Sequence, residues 1–324
     1  MGVRAAANIG TRRGRSRRNR EENRAGLLLI TPTLVIIAVA VVAPILWATA
    51  LAFQNVRLIN IRDASLLGSY TLDNFVEVLT SPGFAQALWT TVVYSVCGTA
   101  LAIGIGLIAA LTLRKPFRGR GLIRASLLVP YIAPVVAATF VWSTLLNAQY
   151  GFVNWFGQTV LGWQEPIAFL SQRWLPISIF GLEIQVPIAL ITIICFEAWR
   201  SFPFAFLFLT ARLQAVPETL DEAARIDGAT PSQRFAHILL PQLVPTIAVL
   251  TVLRFIWTFN NFDDIYLLTG GGAGTQVVAV RVFDFMTARG DIGAAAAQAL
   301  VLAAILAVLV TVYLKVFGRQ EERV

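Results

Sequence analysis

Apolar residues gather in six long stretches, at about 26–53, 86–113, 122–146, 185–211, 242–262 and 293–317. A helix needs about 20 such residues to cross a bilayer, and none of the stretches shows the two-residue alternation of a barrel strand. The pattern predicts an all-α membrane protein with six transmembrane helices. Pro130 and Pro134 fall inside the third stretch and predict a kinked helix there. The connections differ in character. Residues 54–85 are polar, with Pro82 and Gly83 and a short amphipathic helix near Leu72–Leu79. Residues 147–184 carry Trp155, Trp163 and Trp174, which suit a membrane interface. Residues 263–292 are semi-polar and read as an external loop around the glycines from Gly270. The connection at 212–241 is mixed in charge and helical in pattern, more than a simple link between spans requires.

Composition supports this class. The chain is 57% hydrophobic and 14% charged, with mean hydropathy +0.70, against about 25% charged in a soluble domain. The net charge of +8 would suggest a nucleic-acid partner in a soluble protein. Here its distribution matters more. Nineteen Lys and Arg fall on the two ends, the 114–124 turn and the 212–241 loop, against five on the alternate connections. That bias places both termini and the 212–241 loop in the cytoplasm. The organisation expected is a basic cytoplasmic tail (1–25), a six-helix membrane domain (26–317) that contains the 212–241 loop, and a short cytoplasmic tail (318–324). The arginines of 1–25 suit anionic membrane lipid, and no aromatic is interleaved among them for nucleic acid. Cys97 and Cys195 lie in apolar stretches without metal or redox spacing and read as small core residues. No metal cluster, Walker motif or Ser/His/Asp set occurs, so neither a bound metal, a cofactor nor ATP hydrolysis is expected of this chain. Thr269–Thr275 is glycine-rich but lacks the Lys-Ser/Thr ending of a phosphate loop.

Polar residues within the spans need a reason, because a charge at mid-membrane costs several kcal/mol. Glu197, Arg200 and Ser201 cluster on the fourth stretch. Arg254, Trp257, Thr258 and Asn261 recur at i, i+3, i+4 and i+7 on the fifth, one helical face. Either they line a path for cargo, or Glu197 pairs structurally with Arg200 or Arg254.

The 212–241 connection reads Glu222-Ala223-Ala224, three residues, Gly228, nine residues, Ile238-Leu239-Leu240-Pro241. Every fixed position resembles the cytoplasmic loop of binding-protein-dependent ABC importer permeases. Phe117-Arg118-Gly119, Leu128-Val129-Pro130-Tyr131, Trp199 with Pro203-Phe204, Phe259-Asn260-Asn261-Phe262 and Leu267-Leu268-Thr269-Gly270-Gly271 extend the likeness, which is similar to the first permease of the maltose-transporter type. The residues themselves agree. Leu220, Ala223, Ala224 and Ile226 share one side of a short helix, with Asp221, Glu222 and Arg225 outside it, and Asp227-Gly228 permits a turn.

The resemblance implies a type I ABC importer permease fold in the bacterial cell membrane. It implies a different sister permease, two cytoplasmic ATPase subunits that bind the ATP, and an extracytoplasmic sugar-binding protein. The ATPases would receive the loop carrying Glu218, Leu220, Glu222, Ala223, Ala224, Asp227, Gly228, Ala229 and Pro241. Sugar-lining positions carried over from the family fall on Glu197, Arg200, Ser201, Phe204, Arg254, Trp257, Thr258 and Asn261. Two alternatives stand beside a sugar importer. One is a glycerol-3-phosphate or polyol importer of the same class, with Arg200 and Arg254 meeting an anion; the other is a stand-alone secondary carrier.

Overall fold

The computed structural model describes residues 29–66, 68–179 and 182–321. The basic stretch 1–25 and residues 322–324 lie outside them. The described chain is mostly helical. Helix α1 spans Leu29–Ala52, and a short α2 (Asp73–Thr80) sits where the amphipathic pattern put one. Then follow α3 (Phe84–Thr112), α4 (Arg120–Ile132), α5 (Val135–Leu145) and α6 (Phe152–Thr159). After strands β1 (Leu175–Ile179) and β2 (Leu182–Val186) come α7 (Ile188–Gln214), α8 (Glu218–Ile226) and α9 (Pro231–Phe259). Helices α10 (Asp263–Thr269), α11 (Val278–Thr287) and α12 (Ile292–Glu321) complete the order.

Five of these, α1, α3, α7, α9 and α12, are long and apolar enough to cross a membrane. The pair α4 and α5 passes the same test jointly but bends by 97°. The sequence marks the kink, and the structure fixes its position and size. Pro130 stays inside α4, and the break falls at Ala133–Pro134, where both residues adopt extended backbone. The chain before a proline is disfavoured in helical geometry, so Pro134 stops α4 one residue early.

Helix α7 is the central element and the most buried span. It packs along α3 through a stripe of small residues, Gly98, Ala102 and Gly106, all buried. A Cβ on Gly106 would lie 2.8 Å from the Phe206 backbone nitrogen. That contact is close enough to explain why no side chain is present, since spans in lipid associate through tight packing of small residues. Helix α9 lies against both α3 and α7. Helix α1 is exposed over most of its length and buries only Leu51 and Ala52 at its end.

Several expectations need correction. The helical class stands, but an antiparallel hairpin of β1 and β2, not anticipated, runs from the 147–184 connection into the start of the fourth apolar stretch. The 263–292 connection is largely helical, in α10 and α11. Cys97 and Cys195 are both exposed on their helices rather than in the core. The reason is that a lipid-facing surface is as apolar as an interior, so an apolar run alone does not tell inside from outside. The helix expected to start near Pro231 and the fifth apolar stretch are one helix, α9, and α12 continues to Glu321, past the expected start of the tail at 318.

Candidate functional site

Two regions were singled out by sequence, and both sit on the α7–α9 hairpin. The first is the connection itself. Helix α8 ends in a Schellman turn: the Ala229 N–H donates to the Ala224 carbonyl at 2.9 Å and the Gly228 N–H to Arg225 at 3.1 Å. Gly228 has φ +79°, a left-handed conformation that a Cβ disfavours. Helix α9 then opens with a capping box. Thr230 and Gln233 exchange side-chain and backbone hydrogen bonds, and Pro231 occupies the first turn. Pro241 offers no N–H to the helix, and the preceding turn loosens into a π segment at Phe235–Leu239, closed by Leu240 N–H on the Phe235 carbonyl.

On α8, Glu222 and Ala223 face solvent, Ala224 and Ala229 are half-buried, and Leu220 and Asp227 are exposed. Two placements differ from expectation. Ile226 is 88% exposed, and Asp221 turns inward instead of out. Asp221 accepts from Arg225 and Arg234, each at 2.8 Å. Its partner Arg234 lies thirteen residues on, at the foot of the next helix, so a helical wheel of α8 alone does not reveal the inward pull.

The second region is a polar cleft of about 250 Å³ lined by Glu197, Arg200, Arg254, Trp257, Asn260, Asn261, Phe262 and Asp263. Behind it lies a closed network. Glu197 side-chain exposure is 1%, and its carboxylate accepts from the Arg254 guanidinium, from Ser201 at 3.1 Å and from Thr258 at 2.9 Å. Ser201 and Thr258 therefore serve the network and do not line the cleft. Arg200 keeps 26% of its side chain exposed and binds Asp264 through Nε and Nη2 at 3.3 and 3.1 Å. Its Nη2 is 3.9 Å from Glu197.

Asn261 lies two residues past the end of α9, so the helical spacing that linked it to Arg254 does not describe its backbone. Its amide donates to Asp264 at 2.8 Å and its carbonyl accepts from the Asp264 N–H, which ties α10 to the cleft. Trp257 stands over Arg254 and meets Phe204 edge-on with ring centroids 5.1 Å apart. Phe204 supports the tryptophan from behind, in contact also with Phe208.

Sequence reasoning missed Asp264, which is fully buried. Its signal was present in Asn261-Phe262-Asp263-Asp264, where an Asn three residues before an Asp at a helix start forms an Asx-type cap. Asn260, Phe262 and Asp263 were also overlooked as lining. Tyr94 of α3 is buried beside Glu197 and Asp264, and its hydroxyl has no hydrogen-bond partner among the described residues.

A bundle of apolar helices around a half-buried polar cleft, with a structured helical loop between the two spans that form the cleft, defines a membrane transport subunit. Residues 102–323 match the family described as binding-protein-dependent transport system inner membrane component. The chain belongs to that family. It is a permease subunit, and ATP hydrolysis resides on separate subunits. It is 33% identical over 297 residues to the trehalose/maltose transport system permease protein MalF of Thermococcus litoralis, covering 91% of this chain and 94% of that one. It is 32% identical over 276 residues to the inner membrane ABC transporter permease protein YcjO of Escherichia coli, covering 85% and 88%. Its fold is similar to a chain of a bacterial ABC transporter involved in import of the acidic polysaccharide alginate, with TM-score 0.78, 20% identity, and coverage of 94% and 99%.

Proposed function

We propose that the chain is one of two permease subunits of an ATP-driven importer that carries a sugar delivered by an extracytoplasmic binding protein. The observation that carries this reading is that one helical hairpin, α7–α9, bears both the family's loop and the polar cleft. A force applied at the loop acts on the helices that form the cleft. In the membrane, α4 and α5 together act as one broken span, which makes six, and both termini and the α8 loop face the cytoplasm. Two ATPase subunits take the loop, and a different sister permease completes the pore.

The cleft suits a neutral, hydroxylated cargo. Arg200 and Arg254 are each matched by an acid, Asp264 and Glu197, and Asp263 adds a further negative charge at the rim. A polyol phosphate would need uncompensated positive charge there. Trp257, 47% exposed, offers a flat apolar face to the C–H surface of a sugar ring, while Arg200 and Asn261 offer N–H donors to its hydroxyls.

The test is reconstitution of the assembled transporter in proteoliposomes with its binding protein inside or outside. Uptake of radiolabelled trehalose, maltose, oligosaccharides and glycerol-3-phosphate is then followed with and without ATP. Saturable, ATP-dependent and binding-protein-dependent uptake of a sugar supports the reading. Uptake of the phosphate alone, or uptake by this chain alone on an ion gradient, rejects it.

A further inference from the structure

Two side-chain links brace the connection besides its backbone, one between α7 and α9 and one between α8 and α9. Arg212, in the last turn of α7, donates from Nε to the Gln242 carbonyl of α9 at 3.0 Å. Asp221 of α8 holds Arg234 of α9 at 2.8 Å, with the two side chains only 15% and 16% exposed. Arg225, the other partner of Asp221, is 51% exposed and lies on the same helix, so it adds charge without linking elements. Arg114, in the turn after α3, adds a weaker positive charge near the same carboxylate.

We propose that Asp221 is a positioning residue for energy coupling. Through Arg234 it fixes α8 to the foot of α9, so that a displacement of α8 reaches the Arg254 end of that helix. This rests on the reading of the loop as the ATPase dock. The backbone by itself is a weak transmitter here. Between α8 and α9 it passes through Gly228, where even an added Cβ would meet nothing within 4 Å, so the turn is held by its own two hydrogen bonds and not by packing. A push on the exposed Glu222–Ala223 face would be absorbed by bending at that turn. The Asp221–Arg234 pair closes the loop across the turn, and its low exposure limits the solvent screening that makes surface pairs weak. From Arg234 to Arg254 the chain runs as one helical span, with the π segment Phe235–Leu239 at its foot, so twenty residues at about 1.5 Å each carry the motion roughly 30 Å, to the cleft.

The experiment uses the assembled transporter with Cys97 and Cys195 replaced by Ala and a reporter thiol at Asn260→Cys, at the cleft end of α9. Labelling by a membrane-impermeant maleimide is compared in the nucleotide-free state and with ATP plus vanadate. In the parent, nucleotide changes the labelling rate. In Asp221→Asn and in Arg234→Gln, ATPase subunits still co-purify but the nucleotide-dependent difference falls by about five-fold or more, and Asp221→Glu restores it. An Asp221→Asn protein that keeps the full difference overturns the proposal, as does a parent whose labelling ignores nucleotide. Loss of the ATPase subunits from Asp221→Asn also overturns it, because the residue then serves docking and not transmission. The dock itself is tested by Ala223→Arg: unchanged co-purification rejects that reading independently of any result at Asp221.

Discussion

The Glu197 carboxylate and the Arg254 guanidinium meet between α7 and α9 with side-chain exposures of 1% and 6%. The pair joins the two helices at the level of the cleft and is completed by Ser201 and Thr258. Removing one member leaves the other buried and unpaired, which costs about 3–5 kcal/mol, while an apolar pair of similar volume is near neutral. Arg254→Met is therefore expected to lower the thermal midpoint of the solubilised protein strongly. The double substitution Glu197→Met with Arg254→Met is expected to recover most of it. Heating followed by size-exclusion chromatography measures both.

Trp257 contributes differently from Thr258. It is 47% exposed and lines the cleft, whereas Thr258 is buried in the network. Trp257→Ala is expected to raise the KM for uptake about tenfold, equivalent to ~1.4 kcal/mol, with the midpoint little changed. Thr258→Val is expected to lower the midpoint and leave KM alone. Uptake kinetics alongside thermal unfolding separate the two.

The α3–α7 contact depends on Gly106. A Cβ there meets Ala205 Cβ and the Phe206 nitrogen, each at 2.8 Å, while a Cβ at Gly104 meets nothing within 4 Å. Gly106→Val is expected to destabilise by about 1–3 kcal/mol or more, as overpacking does. Gly104→Ala is expected to be neutral or slightly stabilising. The yield of monodisperse protein after extraction tests the contrast.

Gly228→Pro should uncouple the transporter while membrane insertion stays intact. Proline fixes φ near −65° and lacks an N–H, whereas this position needs φ +79° and an N–H on the Arg225 carbonyl. The expected result is a full-length membrane-inserted chain whose substrate-stimulated ATPase activity is lost. Normal stimulated activity would contradict the role given to the turn.

Asp221 gives the loop a defined pH response. Burial acts to push its carboxyl up, but the Arg234 and Arg225 guanidiniums outweigh that and hold it below the usual carboxylate range. Its stabilisation is complete above the unfolded value of about 3.9 and is lost as pH falls through the lower folded value. Amide exchange in α8, corrected for intrinsic rates, should be flat from neutral pH down to the carboxylate range and rise only in stronger acid. Asp221→Asn should remove that step.

Much of the architecture was legible because it follows from local chemistry. Apolar length marked α1, α3, α7, α9 and α12 directly, and Thr230-Pro231 with Gln233 is a helix start written in four residues. The i, i+3, i+4 spacing put Arg254, Trp257 and Thr258 on one face, and that face does meet α7. The hairpin at 175–186 was hidden by its proline and its short strands. The exposed positions of Cys97 and Cys195 were hidden because the outer surface of a membrane helix selects the same apolar residues as a core.

The sequence by itself determined the membrane class, the loop with its turn at Gly228, and which helices carry polar groups. Each of these depends on residues within a few turns of one another. Only the tertiary structure decided the partners: Glu197 with Arg254, Arg200 with Asp264, Asp221 with Arg234, and the 97° bend that splits the third apolar stretch at Pro134. A buried charge must be neutralised by some opposite charge, and local pattern states that requirement. Which charge answers it depends on how α7, α9 and α10 cross in space, and no local spacing along the chain encodes that crossing.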